Sequence, residues 1–309
     1  MLRAMVIGFG SIGMRHVRLL EGLDVETAVV SRRNVDVPKV YSTINAAISD
    51  WQPDYVVVAS KTQEHLKDFQ ALAEAGFDGT VIMEKPLFDH ATDLPEHTFK
   101  QTFVAYNLRF HPVLQRFKEL LEDTEPYAVH AYVGQYLPDW RPDANYRNSY
   151  SAKKAEGGGV LRDLSHELDY LNWILKGWTR LTAAGGHLSN LEIDSDDVFS
   201  VLFESHRCPV VSVQLNYLDS TVRREVLALT DQGSIRADLV KGTVEFANET
   251  GTFKTELFQC GRDDTYISQH SAAMAEDDDF LCTLDQGLDV LRFIDAAETA
   301  AVERIWIAA

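Results

Sequence analysis

Residues 5–16, Met5-Val6-Ile7-Gly8-Phe9-Gly10-Ser11-Ile12-Gly13-Met14-Arg15-His16, carry the reading on which the fold turns. An apolar run leads into Gly8, Gly10 and Gly13, spaced GxGxxG, and a helical pattern over residues 11–21 follows at once. Glycines alone only punctuate turns. Between a strand and a helix at the head of a βαβ unit they predict a dinucleotide site: the first makes the tight turn, the second lets backbone approach a pyrophosphate, and the third lets helix and strand pack closely. Ser11 and Ile12 open the helix, so its first amides face the diphosphate.

Outward from this stretch the same alternation repeats. Apolar, β-rich runs at residues 2–7, 25–31, 55–60, 80–83 and 102–108 are separated by helical stretches. In residues 63–75, Leu66, Phe69, Leu72 and Ala73 recur at helical spacing. This predicts an α/β fold whose N-terminal part is a Rossmann domain, a doubly wound parallel sheet. Pro112 sits where a helix begins, and residues 113–121 read as the connector out of the sheet. From about Tyr127 the pattern changes to strands joined by tight turns, clearest at residues 196–204, 208–216, 223–230 and 234–239. Turns at Asp231-Gln232-Gly233 and Lys241-Gly242 mark hairpins. One helix, over about residues 161–175, interrupts this half and two more follow Asp264. The expectation is a C-terminal α/β domain with a large, mostly antiparallel open sheet. A chain of 309 residues exceeds the size at which one core keeps growing, so two domains are expected, residues 1–118 and 119–309.

A formal net charge of -18 and the absence of a Lys/Arg cluster exclude nucleic acid as a partner. No apolar run reaches the roughly 20 residues of a membrane span, and Met1 leads straight into a strand, so a cytoplasmic protein is expected. Cys208, Cys260 and Cys282 are odd in number without CxxC or Cys/His spacing; they read as reduced core thiols, with no metal site. The end of the second strand speaks to the nucleotide. An Asp or Glu there accepts the ribose 2′-hydroxyl of NAD, but this chain has Ser31, Arg32 and Arg33, whose hydroxyl and guanidinium groups suit a 2′-phosphate. NADP(H) is favoured, with NAD the alternative. A solvated loop is the bland reading of the same arginines.

Three further strings complete the pattern: Glu84-Lys85-Pro86 after a strand, Asn107-Leu108-Arg109-Phe110-His111-Pro112, and GGGVLRDLSHELD over residues 157–169. With GFGSIGMRH they make the chain resemble the glucose-fructose oxidoreductase and inositol dehydrogenase (Gfo/Idh/MocA) family over nearly its whole length. The resemblance implies a Rossmann domain followed by an open-sheet α/β domain, a pyridine nucleotide, and hydride transfer at a carbinol carbon, commonly of a sugar or polyol. It implies catalytic roles for Lys85, Asp163 and His166. Two departures stand out: many relatives space the Asp and His four residues apart where this chain has three, and Ser60-Lys61-Thr62 replaces a common Thr-Pro pair.

Chemistry alone assigns compatible roles. Oxidising a secondary alcohol needs a base, and His166 has the side chain that titrates nearest neutral pH. Lys85, at the carboxyl end of a parallel strand, would stabilise a developing alkoxide. Asp163 would orient either by accepting a hydrogen bond, and a three-residue spacing puts it on one helix face with His166. A satisfied helix histidine and a helix-start carboxylate are the bland readings. Ser60, Lys61, His65, Glu84 and Asn107 are placed among the nucleotide-lining positions, with His65 more a packing or capping residue than a catalytic one. Arg109, Tyr146, Arg147 and Tyr150 are the candidate substrate contacts, although Arg109 equally suits a carboxylate partner. The expected function is hydride transfer between NADP(H) and a hydroxyl or keto carbon of a sugar, sugar acid or other sugar derivative. A reductase of a non-sugar molecule and an inactive nucleotide-binding regulator are the alternatives. A large sheet with one uncovered face predicts a homo-oligomer through the C-terminal sheet.

Overall fold

The computed structural model describes residues 2–309. The chain begins β1 (Arg3–Ile7), α1 (Ser11–Gly22), β2 (Glu26–Val30), β3 (Val40–Tyr41), α2 (Ile44–Trp51), β4 (Tyr55–Val58), α3 (Thr62–Glu74), β5 (Thr80–Met83) and β6 (Gln101–Val104). A 3-10 turn at Asn107–Phe110 leads into α4 (Pro112–Glu122) and β7 (Pro126–Gly134). After further 3-10 turns come α5 (Val160–Asp163), α6 (His166–Leu175), β8 (Trp178–Gly186), β9 (Val198–Ser205), β10 (Val211–Asn216), β11 (Arg223–Thr230), β12 (Gly233–Asp238), β13 (Thr243–Ala247) and β14 (Phe253–Leu257). The chain closes with α7 (Asp264–Ala275), β15 (Cys282–Thr283), α8 (Leu284–Glu303) and β16 (Ile307–Ala308). Among the described residues no helix is long and apolar enough to cross a membrane.

These elements form two compact units. The first takes the chain up to Asn107 together with Gly261–Leu288, and the second takes Leu108–Cys260 with Asp289–Ala309. The expected boundary after residue 118 therefore differs from the observed division in two ways. Helix α4 belongs to the second unit because its buried face of Val113, Leu114, Phe117 and Leu121 packs toward β12 and β13. The segment Gly261–Leu288 returns to the first unit, where β15 pairs with β6 and α7 packs on α1.

In the first unit the sheet runs β15-β6-β5-β4-β1-β2-β3, parallel except for β15. Tyr55, Val56, Val57 and Val58 are all buried. Successive strand residues point to opposite faces, so an unbroken buried run means that both faces are covered. That is why the parallel strands read as continuous apolar runs.

The second unit holds a nine-stranded sheet ordered β14-β13-β12-β11-β7-β10-β9-β8-β16. Only β7 and β10 pair in parallel; the other neighbours are antiparallel, including the hairpin in which Thr230 faces Gly233. Val201 and Phe203 are buried on β9 while Ser200 and Leu202 are exposed, so one face of the sheet carries the core. Against expectation, residues 161–175 form two helices, not one. Helix α5 ends at Asp163 and α6 starts at His166, so these two residues flank a break and do not share one helix face. Helix α6 buries Glu167 and Asp169. Both carboxylates are matched with guanidinium groups, Glu167 with Arg224 at 2.9 Å and Asp169 with Arg109 at 2.6 Å, as buried charge requires.

Candidate functional site

The glycine loop between β1 and α1 separates the demands of the fold from those of a ligand. Gly13 is required by packing, because a Cβ there would stand 2.2 Å from the Gly8 carbonyl oxygen. Gly10 is different. It has φ -84°, open to any residue, and a Cβ on it would meet no atom within 4 Å. Neither backbone strain nor packing asks for glycine there. An open space above the amino end of a 12-residue helix suits a diphosphate group, which lies on backbone that must stay bare. Ser11 and Ile12 form the first turn of that helix.

Beyond β2 the three candidate phosphate contacts are organised locally. Ser31 Oγ accepts from the Arg33 amide at 3.1 Å and donates to its carbonyl, and Arg33 Nη2 donates to the Phe9 carbonyl at 2.7 Å. Arg33 is thus anchored on the glycine loop itself. Arg32 reaches Glu64 at 3.3 Å with its side chain 80% exposed, a kind of pair worth about 0–1 kcal/mol.

The remaining first-unit candidates divide by role. Ser60 Oγ donates to Asp68 at 2.6 Å, and Lys61 stands at the N-cap of α3. His65 is buried between carbonyls, Nδ1 at 3.1 Å from both Pro86 O and Leu87 O and Nε2 at 3.2 Å from Ser60 O. Packing against the loop after Lys85 is its structural role. Glu84 is buried, accepts from His16 Nε2 at 2.8 Å, and takes the Lys85 amide at 3.1 Å. Burial pushes its carboxyl up, but the hydrogen bond from His16 together with the Lys85 ammonium and amide outweighs burial and holds it below the usual range. Asn107 is buried and donates to Thr265 Oγ1 at 2.7 Å.

In the second unit the centre is Asp163. It is buried, and its Oδ2 accepts the Tyr217 hydroxyl at 2.6 Å. The Tyr150 hydroxyl also bonds to Asp163, whose charge is the largest cause raising that phenol well above its ordinary value. Tyr217 is raised too, by burial first and then by Asp163, and both hydroxyls stay protonated as donors. Trp140 packs edge-on to Tyr217 at 5.2 Å. The glycine run explains how Asp163 is placed. Gly159 has φ +125°, and a Cβ on it would lie 2.2 Å from Asp196 Oδ1, whose partner Oδ2 accepts the Leu161 amide at 3.1 Å. Asp196 therefore draws the start of α5 down, with Asp163 on its last turn and His166, 9% exposed, opening α6.

Tyr217 and Asp196 went unsingled by sequence reasoning. Tyr217 follows an ordinary apolar strand, and no local pattern marks it. The substrate expectation for Arg109 needs correction: Arg109 is 2% exposed, its Nε and Nη2 both donate to Asp169, and Trp173 lies against its guanidinium at 5.2 Å. It clamps the turn after β6 to α6. Tyr146 and Arg147 lie together on a loop, where Arg147 Nε bonds Glu192 at 2.6 Å and the Tyr146 hydroxyl accepts the Glu192 amide. Among the described residues no group of three or more His, Cys, Asp and Glu side chains is arranged to hold a metal.

Comparison with known proteins follows this geometry. Residues 2–112 match the model of the oxidoreductase family with an NAD-binding Rossmann fold, and residues 114–236 match that of the GFO/IDH/MocA C-terminal domain. A levoglucosan dehydrogenase of Pseudarthrobacter phenanthrenivorans is 28% identical over 148 residues, covering 44% of this chain and 38% of that protein. A levoglucosan dehydrogenase solved with NADH and L-sorbose shares the fold at TM-score 0.84 and 17% identity, covering 100% of this chain and 98% of its own. GenD2 from gentamicin A biosynthesis, solved with NAD, does so at TM-score 0.80 and 22% identity, covering 100% and 96%.

Because Gly10 is bare without a protein reason, Gly10→Val is expected to abolish pyridine-nucleotide binding while leaving the thermal midpoint nearly unchanged. Isothermal titration with NADH and NADPH beside a melting curve checks it. Normal nucleotide affinity in the variant would place the dinucleotide elsewhere.

Proposed function

The chain belongs to the GFO/IDH/MocA oxidoreductase family, and we propose that it is a dehydrogenase moving hydride between NADP(H) and a hydroxyl or keto carbon of a sugar or sugar derivative. The observation that carries this reading is Gly10, kept bare above the helix start. Ser31, Arg32 and Arg33 at the end of β2 support the phosphorylated nucleotide, since the three residues directly after that strand include no acid. The relatives solved with levoglucosan dehydrogenase activity in their names, and with L-sorbose bound, support a sugar-like substrate. Three cysteines, odd in number and without metal-site spacing, suit a reducing compartment, and we place the enzyme in the cytoplasm.

The bound nicotinamide would accept hydride from the carbinol carbon, or return it in the reverse direction. In the oxidative direction His166 takes the hydroxyl proton, and the Lys85 ammonium stabilises the alkoxide as it forms. Asp163, held by Tyr217 and Tyr150, orients the hydroxyl that reacts. Tyr146 and Arg147 precede the glycine run and offer donors suited to sugar hydroxyls, and Tyr150, whose O–H is turned to Asp163, offers its oxygen as an acceptor. On the nucleotide side, Gly8, Gly10, Ser11 and Ile12 would line the diphosphate, with Gly13 letting the helix pack close enough to present them.

A second copy of this chain is the proposed partner. The outer face of the nine-stranded sheet, with His130, Tyr132, Leu202, Gln214 and Leu227, forms an open depression of about 680 Å³. Sedimentation velocity is expected to give a dimer or larger assembly, and a monomer at assay concentration would remove this part of the proposal.

NADPH is expected to bind at least tenfold more tightly than NADH, a difference of about 1.4 kcal/mol from contacts to one phosphate. Replacing Arg32 and Arg33 together by alanine should erase most of it, and equal affinities in the unaltered protein would refute the preference.

Screening sugars and sugar acids with NADP+ and NADPH, followed by absorbance of the reduced nicotinamide, tests the activity itself. On a confirmed substrate, Lys85→Ala and His166→Ala are each expected to lower kcat by roughly a hundredfold or more with NADPH affinity barely changed. Turnover within a few fold of the unaltered enzyme would remove either residue from the chemistry. Tight NADPH binding with no turnover on any candidate would instead favour a nucleotide-binding regulator.

A further inference from the structure

Behind Lys85 lies a set of buried polar groups that hydride transfer as described does not use. Glu84 Oε1 meets His16 Nε2 at 2.8 Å, His16 Nδ1 meets His270 Nε2 at 2.8 Å, and His270 Nδ1 meets the Tyr55 hydroxyl at 2.9 Å. His16, His270 and Tyr55 are each at most 1% exposed and Glu84 is 7% exposed. The four residues come from α1, β4, the end of β5 and α7, all within the first unit. The other carboxylate oxygen, Oε2, accepts the amide of Lys85 at 3.1 Å.

We propose that Tyr55, His270, His16 and Glu84 form a positioning chain whose hydrogen bonds run in one direction and fix the Glu84 carboxylate behind Lys85. The importance of Lys85 rests on the dehydrogenase reading given above; the chain itself does not.

Direction follows from counting donors. A neutral imidazole has one N–H and one acceptor nitrogen, while a carboxylate only accepts. Glu84 therefore requires the His16 proton on Nε2. That leaves His16 Nδ1 as an acceptor, so His270 must carry its proton on Nε2. His270 Nδ1 then accepts, and the Tyr55 hydroxyl donates. Every polar atom along the path is satisfied, and both imidazoles are neutral. The reverse arrangement would need an acceptor for the Tyr55 hydroxyl, and no second partner for it is present among the described residues. Burial pushes the His270 imidazolium far down and raises the Tyr55 phenol, so neither of these two groups ionises. The groups facing this set from adjacent positions are Tyr266, edge-on to His16 at 5.8 Å, Arg15 over Tyr266 at 5.1 Å, and Lys85.

The consequence for Lys85 is electrostatic. Lys85 lowers the Glu84 carboxyl, and by reciprocity the carboxylate favours the ammonium of Lys85 to the same extent. Breaking the path at a distant member should loosen Glu84 and be felt at Lys85.

Two variants of His270 separate positioning from packing. His270→Gln keeps one donor and one acceptor in the same sense, whereas His270→Leu fills the space and supplies neither. Nitrogen-15 spectra of histidine-labelled full-length protein should show His16 and His270 as neutral Nε2–H tautomers. In competitive acetylation with acetic anhydride, Lys85 measured against exposed Lys241 should label about threefold faster in the Leu variant and nearly as in the unaltered protein in the Gln variant. On a confirmed substrate the Leu variant should lose about tenfold in kcat at constant NADPH affinity, and the Gln variant should recover most of it. If the Leu variant does not fold, Tyr55→Phe, which removes only the terminal hydroxyl, should move Lys85 labelling in the same direction. Nδ1–H tautomers, unchanged Lys85 labelling, or equal losses in the Leu and Gln variants would each overturn the proposal. The spectra and the labelling need no substrate, so a protein inert on every sugar would count against the dehydrogenase reading and leave these two measurements to decide the chain.

Discussion

A carboxylate taken out of water must be compensated, and the burial of Glu84 is the constraint from which the architecture of the first unit can be worked out. Removing a partner from a buried ion leaves a penalty of about 3–5 kcal/mol. Glu84 sits at the end of β5, and its nearest compensating group is His16 on the helix that follows the glycine loop. The loop and the Glu84-Lys85-Pro86 strand end are thereby tied to each other across the sheet. His16 in turn presents a buried nitrogen that needs a donor. The donor is His270, 254 residues further along the chain. A segment that would otherwise continue the second unit is drawn back to the first, and there it also covers the sheet edge by pairing β15 with β6. An uncovered edge is a liability in its own right. One return thus serves two requirements.

Buried acids in the second unit sort by the kind of partner they have. Asp169 and Glu167 face guanidinium groups, Arg109 and Arg224, and these pairs anchor α6. Asp163 instead takes the Tyr217 hydroxyl, with Tyr150 as a second phenol at the same carboxylate. A carboxylate met by a guanidinium is spent on structure. One met by phenols has its orientation set by two hydroxyl donors, which suits the orienting role proposed for Asp163. The same comparison moves Arg109 from the substrate to the scaffold.

How much of this could be read from the sequence depends on the range over which each feature is determined. Strands β5 and β11 match their expected spans residue for residue, because a short apolar parallel strand and a turn at Asp231-Gln232-Gly233 are written locally. The glycine loop and helix α1 follow for the same reason. The unit boundary is not local. Whether α4 and residues 261–288 go with one core or the other depends on surfaces made by distant strands, and nothing in either stretch declares it. The break between α5 and α6 is likewise a tertiary effect. Residues 161–175 have helical character throughout, but Asp196 holds the amide of Leu161 while Arg109 and Arg224 hold α6. Two anchors in different directions override a continuous helical pattern. Tyr217 and His270 were invisible for the same reason: their significance lies in what is brought to them.

The choice between nucleotides turns on the competition for two guanidinium groups. In the proposed reading Arg33 is already held by the Phe9 carbonyl, so little ordering remains to be done when a phosphate arrives. Arg32 has to leave Glu64. That pair is exposed, and such pairs contribute about 0–1 kcal/mol, whereas a hydrogen bond to a charged group contributes about 1.5–3 kcal/mol. A phosphate dianion, which adds ion-pair attraction to its hydrogen bonds, would compete with Glu64 for Arg32 better than the uncharged ribose hydroxyl of NADH would. Relatives solved with NAD or NADH share the fold at 22% identity or less, a level at which the sheet is retained while the few residues after β2 are free to differ. In the proposed reading, selectivity for the phosphorylated nucleotide would rest on Ser31, Arg32 and Arg33.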